Sequence, residues 1–338
     1  MRIQNFENIE KIKSLLLLQK QKNKKKMKSP HLIFFFCLTF VIVSILCKKT
    51  FFPLEGHIDE SKAVYLFEEF VSPYKKSSIK THIGYDDNSS TGRRRGLFAS
   101  ESMEERGTFT LTISYSIIFG MKFAQDFPKY KEWMNVCQCQ PSDLQKLVFM
   151  HEYLIGEKSI FFNYIQLLPR TFDLAIFWDD NDDDDDNDYN NYNQQQQQKM
   201  NLNSFKGTEF YNISIARQKD IDDSWLSLRL NLFNKYPQDV FHQRDYTYEL
   251  FHWTCLIFDS RAFSDIFYGG AALFTYIDMI NHKHGAKWNI TTDEKKKDIT
   301  LNIYDVKYEK KDEIFIQYGT DEMKEITARL FGDFSDFE

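Results

Sequence analysis

The sequence is poor in cysteine, contains no internal repeat and has no long uninterrupted apolar run. Its 338 residues include only five Cys, which do not make a disulfide framework at this length. Cys137 and Cys139 form an isolated C-x-C, and Cys255 lies in an apolar run. Because no C-x-x-C or His pair accompanies them, we do not expect a structural zinc site.

The chain also lacks a basic face of the kind that binds nucleic acid. Its net charge is −6, and no basic surface remains once the amino-terminal lysines are set aside. Direct nucleic-acid binding is therefore not expected. Aromatic residues are abundant instead, at 16% of the chain with 32 Phe and 18 Tyr. Such large side chains bury much area each, so the chain can build the core of one large domain or two small ones.

The amino terminus combines a basic leader with a short apolar segment. Residues 1–31 are polar and lysine-rich, and residues 32–47 are almost entirely apolar. This apolar segment is about 24 Å long as a helix, which is short for a bilayer span. The pattern predicts a signal peptide or a retained signal anchor; a buried core helix fits less well because no amphipathic sequence surrounds it. The expected location is the membrane or secretory pathway, and otherwise the cytoplasm.

A low-complexity segment interrupts the second half of the chain. Residues 179–199 consist almost entirely of Asp, Asn and Gln. Such a composition cannot bury apolar surface, so we predict a disordered loop inserted on the outside of the fold. An acidic binding tract is the alternative, but a tolerated insertion is the simpler explanation because long surface loops cost little entropy.

Periodicity predicts a mixture of short strands and helices. Apolar residues alternate in some segments and recur at helical spacing in others. The elements predicted are a strand near Thr108–Ile118, helices around Ser142–Tyr153 and Thr247–Phe258, a strand through Ile299, Leu301 and Ile303, and a strand over Glu313–Tyr318. Helices placed between short strands indicate an α+β fold that is rich in β-structure.

Three segments near the carboxyl terminus end in polar residues that are unusual for a core. They read SRAF at Ser260–Phe263, IDMINH at Ile277–His282 and EIFIQYG at Glu313–Gly319. Each has an ordinary explanation: a capping arginine, an Asx turn that satisfies its own backbone, or a surface tyrosine on a strand. His282 and His284 are too close in sequence, and without a third ligand, to indicate a metal site.

Earlier segments complete an ordered series with these three. GRRRGLFAS at Gly92–Ser100 precedes GEKSIFFNYIQLLPRTFDLAIFW at Gly156–Trp178, and FKGT follows at Phe205–Thr208. Together the segments resemble a SET domain, the methyltransferase fold that uses S-adenosylmethionine, over residues 80–335. The resemblance is to the subgroup of Rubisco large-subunit lysine methyltransferases and actin-histidine methyltransferases. The sequence departs from the glycine-loop pattern at Arg94, which replaces its first glycine.

The resemblance implies roles for individual residues. It assigns cofactor binding to Arg95, Gly96, Arg261, Asp278, Asn281, His282 and Tyr318, and no metal. Arg261 would support the carboxylate end of S-adenosylmethionine, since a guanidinium can bind a carboxylate through two hydrogen bonds. Tyr318 is the catalytic candidate, because methyl transfer depends on positioning the incoming nitrogen.

Three functions follow as hypotheses. The first is a protein N-methyltransferase that modifies lysine, with histidine as the alternative target. The second is a SET-shaped binding module without turnover, suggested by the altered glycine loop. The third is a membrane-tethered interaction protein. The expected partner is a protein substrate, and the expected state is a monomer, associated with the membrane if residues 32–47 are retained.

Overall fold

The architecture consists of short strands in three sheets with helices packed around them. The computed structural model describes residues 59–86, 94–137, 139–170, 206–236, 245–264 and 267–318, all within the unit Ile58–Glu338. The helices of these residues are α1 (Glu60–Val71), α2 (Met121–Asp126), α3 (Tyr130–Cys137), α4 (Pro141–Leu154), α5 (Phe162–Leu167), α6 (Glu209–Leu228) and α7 (Tyr248–Arg261). Short 3-10 turns cover Ser72–Tyr74, Tyr115–Ile117, Gly156–Lys158 and Ile277–Met279, and a π-turn over Arg229–Phe233 extends α6.

The strands form two four-stranded sheets and one hairpin. They are β1 (Lys75–Ser77), β2 (Thr81–Asp86), β3 (Arg94–Ala99), β4 (Gly107–Ser114), β5 (Ala262–Ser264), β6 (Ala271–Leu273), β7 (Asn281–His282), β8 (Trp288–Asp293), β9 (Asp298–Val306) and β10 (Glu313–Ile316). The first sheet has the order β1-β4-β9-β8, the second β2-β3-β10-β7, and β5 pairs with β6. Only β10 and β7 run parallel among these pairs.

Alternating residues fix the register of the first sheet. In β9, Ile299, Leu301 and Ile303 are buried while the residues between them are partly exposed. Leu111 of β4 lies opposite Leu301, so the apolar side chains of both strands face the same core. A shift by one residue would turn all of them toward solvent, which is why this pattern specifies a single register.

Local capping sets the starts of the helices. The side chain of Asp59 accepts a hydrogen bond from the Ser61 amide at 3.0 Å at the start of α1. The Thr247 hydroxyl accepts from the Leu250 amide at 3.2 Å at the start of α7. Pro141 occupies the first turn of α4, where no amide donor is needed. These residues satisfy or remove amide donors that a helix leaves unpaired.

An aromatic cluster centred on Phe119 fills the core between helices and sheets. Its ring lies 4.9 Å from that of Phe149, 5.3 Å from that of Phe161 and 6.1 Å from that of Phe258, all in edge-to-face arrangements. Phe119 is also bridged to Leu273 through their backbones. The cluster therefore joins α4, the segment before α5, and α7 to the β5–β6 hairpin.

The predicted elements are found, with differences in their ends: β4 stops at Ser114, where the predicted strand ran to Ile118. The strand near Thr108, the helix around Ser142, the helix from Thr247 and the strand through Leu301 are all present. The final strand ends at Ile316 rather than Tyr318. Helix α7 is buried over most of its circumference, including Thr254 and Cys255, because it is packed between α4, α6 and the β5–β6 hairpin. The α+β class is thus confirmed.

Three predicted segments fall outside the described residues. They are the basic leader 1–31, the apolar segment 32–47 and the Asp/Asn/Gln-rich insertion 179–199. Over the described ranges, no helix is both long enough and apolar enough to cross a bilayer. Cys137 and Cys139 are joined to each other by a disulfide, a pairing not predicted from the sequence, and Cys255 is free and buried.

Candidate functional site

Strands β3, β10 and β7 lie side by side and bring Gly96, Glu313 and Asn281 together. The Asn281 side-chain amide donates to the Arg95 carbonyl at 2.8 Å and to Glu313 Oε1 at 2.6 Å. A Cβ placed on Gly96 would lie 2.9 Å from Asn281 Nδ2 and would collide with the Glu313 carboxylate. Glycine at position 96 therefore permits this close approach, which a Cβ would prevent unless the Glu313 and Asn281 side chains moved.

A second group of polar residues lies where α7 ends. Arg261, the last residue of α7, donates from Nη1 to the Asp278 carbonyl at 2.9 Å and lies 3.7 Å from its Oδ2. The Tyr164 hydroxyl donates to the same Oδ2 at 2.6 Å. Burial raises the pKa of Asp278, although Arg261 opposes the shift. Burial and the Asp278 charge raise the pKa of Tyr164 well above its ordinary value, so the phenol stays protonated as the donor.

Arg95 connects the two groups. Its carbonyl accepts from Asn281, as described, while its guanidinium donates to the Leu167 carbonyl at the end of α5 and lies 3.5 Å from Glu60 Oε1. Burial lowers the pKa of Arg95, and the like charge of nearby Arg261 lowers it further. Two guanidinium groups thus lie near each other beside one buried carboxylate, an arrangement that favours an additional negative charge.

One donor and one acceptor in this group lack a partner. Arg261 Nε and Asp278 Oδ1 are both buried without a hydrogen bond from any described residue. Unpaired buried polar atoms are costly and call for an explanation. A ligand that carries both a carboxylate and an ammonium would satisfy the two atoms at once. The residues therefore fit the amino-acid end of a small zwitterionic molecule.

His282 and Tyr318 form the other side of the site. The Tyr318 amide donates to His282 Nδ1 at 2.8 Å, and the two rings lie 5.3 Å apart. The Tyr318 hydroxyl donates to the Ile280 carbonyl. This bond fixes the direction of the phenol, and it also holds the chain just before Asn281. Asn281 and His282 themselves form β7 rather than a free turn, and they pair with Phe315 and Ile316 of β10.

The turn that carries Asp278 follows a residue with a strained backbone. Tyr276 has φ 79° and ψ −45°, a region that non-glycine residues rarely adopt. Its fully buried hydroxyl is bonded to Lys75 Nζ at 2.5 Å, Thr81 Oγ1 at 3.1 Å and Glu68 Oε1 at 3.2 Å. Lys75 also pairs with Glu68 at 3.1 Å. This buried network holds Tyr276 in place, and we call it the Tyr276 brace.

Aromatic side chains form a wall between Arg261 and Tyr318. The rings of Phe263 and Phe274 stack 5.0 Å apart with their planes 4° from parallel. Trp288 meets Phe263 edge-to-face at 6.2 Å. The Trp288 indole donates to the Gln317 carbonyl, next to Tyr318, at 2.7 Å. We call Phe263, Phe274 and Trp288 the aromatic wall; Phe263 and Trp288 are partly exposed, and Phe274 is fully buried.

All seven residues singled out in the sequence lie in this region, and contacts through Arg95 connect them. Their roles toward a ligand remain predictions. Sequence reasoning missed Tyr164, Glu313, Tyr276 and Trp288. Tyr164, Glu313 and Tyr276 stand inside or beside the recognised motifs. Trp288 carries no local signal of its own. Within the described ranges, no group of three or more His, Cys, Asp or Glu side chains is arranged to hold a metal ion.

Comparisons with known proteins agree at the level of the fold. No family model matches the sequence, and no curated protein matches it. Among solved structures, the SET domain of LSMT bound to lysine and AdoHcy is similar, with a TM-score of 0.60 and 16% identity. That comparison covers 80% of this chain and 57% of the other.

Two further structures of the same enzyme are similar to the same degree. Rubisco LSMT bound to sinefungin and monomethyllysine has a TM-score of 0.58 and 17% identity, covering 80% of this chain and 56% of the other. Rubisco LSMT bound to AdoMet has a TM-score of 0.59 and 16% identity, with the same coverages, 80% and 56%. The chain thus spans little more than half the length of these proteins. At such identities the similarity shows the fold, and the chain has the α+β fold of SET domains.

Proposed function

We propose that this protein is a methyltransferase that uses S-adenosylmethionine to methylate a lysine side chain of a protein. The observation that carries the proposal is the unpaired pair of buried atoms, Arg261 Nε and Asp278 Oδ1, in a SET fold. The similar solved structures contain AdoMet, AdoHcy or sinefungin, and two of them also contain lysine or monomethyllysine. The order of the sequence motifs supports the same cofactor and the subgroup of Rubisco large-subunit and actin-histidine methyltransferases.

Arg261 and Asp278 would hold the carboxylate and ammonium of the cofactor. A guanidinium recognises a carboxylate through charge-assisted hydrogen bonds, and a carboxylate recognises an ammonium in the same way. Asn281, fixed by Arg95 and Glu313, and His282 would complete the binding surface along β7. Bound S-adenosylmethionine would supply an electrophilic methyl group; transfer breaks its sulfur–methyl bond, forms a nitrogen–methyl bond and releases one proton from the amine.

The aromatic wall would take the aliphatic part of the target lysine. Phe263 and Trp288 are partly exposed, with Phe274 buried against Phe263, and lysine stems pack well on apolar surface. Tyr318 would orient the neutral amine, because its own hydroxyl is already directed by the Ile280 carbonyl. Catalysis would then come mainly from positioning rather than from acid–base exchange. Histidine is the alternative target residue. The proposed protein is a monomer, and residues 32–47 would associate it with the membrane.

The proposal predicts cofactor binding that does not depend on the Tyr318 hydroxyl. The full-length protein should bind S-adenosylmethionine in calorimetry, and Tyr318→Phe should bind it with nearly unchanged affinity. The same variant should lose about 10²-fold in transfer rate, the scale expected when one positioned transition-state contact is removed. Tyr65→Phe, at a position 65% exposed on α1, is the control and should leave both quantities unchanged.

Other outcomes separate the alternatives. Absence of S-adenosylmethionine binding by the wild type would exclude the enzyme and leave the membrane-tethered interaction protein. Binding without transfer to any protein would favour the SET-shaped binding module. Loss of binding in Tyr318→Phe, in proportion to the loss of rate, would show that the hydroxyl only holds Ile280 and the β7 segment. The substrate and the target residue can be identified by incubating cell extract with labelled S-adenosylmethionine, followed by mass spectrometry of the labelled protein.

A further inference from the structure

Three aromatic side chains from two separate segments meet at the surface, away from the residues discussed so far. Tyr115 begins the 3-10 turn after β4, and Phe267 and Tyr268 lie in the loop between β5 and β6. The Tyr115 ring is 5.1 Å from that of Phe267 and 5.3 Å from that of Tyr268, with interplanar angles of 86° and 53°. The Phe267 and Tyr268 rings are 6.3 Å apart at 55°. We call these three residues the aromatic corner.

A lysine of the same chain places its ammonium in this corner. Lys297 Nζ lies 4.8 Å from the centre of the Phe267 ring and 5.6 Å from that of Tyr268. The Lys297 carbonyl accepts from the Tyr115 amide at 2.8 Å, and its φ of 56° ends the turn between β8 and β9. Its backbone is therefore fixed beside the corner, and its side chain extends along the rings.

The contact of Lys297 differs from those of other surface lysines. Its neighbour Lys296 pairs with Asp293 at 3.2 Å, whereas Lys297 makes no ion pair with any described residue. Lys283 lies 5.4 Å from the Phe315 ring, and that is the one ring of the described residues near its ammonium. The aromatic corner thus offers a cation two ring faces at an angle.

Two angled ring faces recognise methylated ammonium groups better than unmethylated ones. The ring faces attract any cation through their quadrupoles. An NH₃⁺ group, however, is strongly hydrated and loses water unfavourably. A trimethylammonium carries the same charge with apolar methyl groups that pack on the rings. Tyr268 is 39% exposed, so such a group can reach the corner from solvent and replace Lys297.

We propose that the aromatic corner is a binding site for the methylated side chain of a lysine in a partner protein. Lys297 acts as its built-in, weakly held occupant. We choose lysine over a choline headgroup because the occupant in the structure is itself a lysine side chain, so the corner accommodates a four-carbon stem. The inference does not depend on the proposed enzymatic function, since it uses none of the residues assigned to that site.

Ligand-observed NMR on the full-length protein tests the inference. The probe is Nα-acetyl-Nε-trimethyl-lysine amide, whose nine equivalent methyl protons give one sharp signal that broadens on binding. We expect binding of this probe and at least ~10-fold weaker binding of the unmethylated compound, a difference of ~1.4 kcal/mol. Phosphocholine serves as the second probe.

Two matched sets of variants locate the binding. Phe267→Leu combined with Tyr268→Leu keeps apolar volume but removes the ring faces, and it should weaken binding of the trimethylated probe ~10-fold or more. The control is Tyr304→Leu, at a tyrosine of β9 with a similar exposure of 38%. Lys297→Gln should tighten binding about 2- to 5-fold because it removes the competing occupant, while Lys283→Gln should have no effect.

Several outcomes would overturn the inference. They are no broadening of the trimethylated probe, equal binding by the double Leu variant, or a preference for phosphocholine over the lysine probe. Binding at the methyl-transfer site is recognised separately, because it should respond to Trp288→Ala and not to the double Leu variant. Calorimetry with S-adenosylmethionine on the double Leu variant keeps a failure of this inference distinct from a failure of the proposed function.

Discussion

Gly96 shows how one missing side chain allows the site to form. The space that its Cβ would fill is taken by the Glu313 carboxylate and the Asn281 amide, which are bonded to each other. The same amide is bonded to the Arg95 carbonyl. A methyl group at position 96 would separate the two side chains and leave partly buried polar atoms with fewer partners. The glycine is thus needed for packing within the protein, in addition to any contact with a cofactor.

The substitution Gly96→Ala should therefore destabilise the folded protein. We expect the free energy of unfolding to fall by about 1–3 kcal/mol, the cost of leaving buried polar groups unsatisfied, and S-adenosylmethionine binding to weaken. Gly107→Ala is the matched control, because Gly107 also lies on a strand and nothing is within 4 Å of its added Cβ. Urea denaturation of both variants measures the difference. Equal stabilities would contradict the close approach described at Gly96.

At the scale of elements, helix α6 fixes the helix that presents Arg261. Arg217 of α6 donates to both carboxylate oxygens of Asp259 at 2.7 and 2.8 Å. The Tyr248 hydroxyl donates to Asp222 Oδ1 at 2.6 Å and accepts from Gln218 at 2.7 Å. These bonds join α6 to both ends of α7. Asp259 is two residues before Arg261, so the Arg217 pair stabilises the turn of α7 from which Arg261 projects.

Removing the Arg217 charge should therefore weaken the contact between the two helices. We expect Arg217→Gln to lower the free energy of unfolding by about 1 kcal/mol, at the upper end for a partly exposed pair because the bond is bidentate. Lys122→Gln breaks the more exposed Lys122–Asp126 pair and should cost at most about 0.5 kcal/mol. Denaturant midpoints compare the two. A larger effect of Lys122→Gln would show that the α6–α7 contact does not rest on Arg217.

The apolar pattern of the sequence predicted several elements well, because the residues that alternate or recur in it are the ones that become buried. The alternation in β9 and the capped, apolar start of α7 are local properties, and both elements form where the sequence places them. The contact between Tyr164 and Asp278 is different, since the two residues are 114 positions apart. Nothing near either residue indicates the partner. The role of Glu313 is equally non-local, because it depends on β10 lying between β3 and β7.

At the scale of the whole molecule, buried carboxyl groups link folding stability to pH. Burial raises the pKa of Asp278, and it raises that of Glu152 despite the hydrogen bond from Ser159. Between the ordinary carboxyl pKa and the raised one, the folded state keeps a proton that the unfolded chain has lost. Each group therefore makes the folded state less stable as pH rises through that interval.

Asp278→Asn should remove part of this dependence. Relative to the wild type, the variant should gain stability as the pH rises from about 4, the ordinary range of an Asp carboxyl, and the difference should level off above the raised pKa. Unfolding midpoints measured between pH 4 and 8 test this. A difference that stays constant across the range would mean that Asp278 does not change its protonation there.

The Tyr276 brace has a consequence for how the candidate site forms. The brace joins Tyr276 to Lys75 and Glu68, which precede it by 201 and 208 positions. Local backbone bonds such as Asp278 to Phe274 support this strained turn, and the docked amino-terminal elements fix the Tyr276 side chain within it. The three carboxy-terminal motif segments, SRAF, IDMINH and EIFIQYG, therefore cannot form the site without the amino-terminal elements. A fragment that contains them alone would keep the motif and lose the geometry, and an incompletely folded chain would have no assembled site.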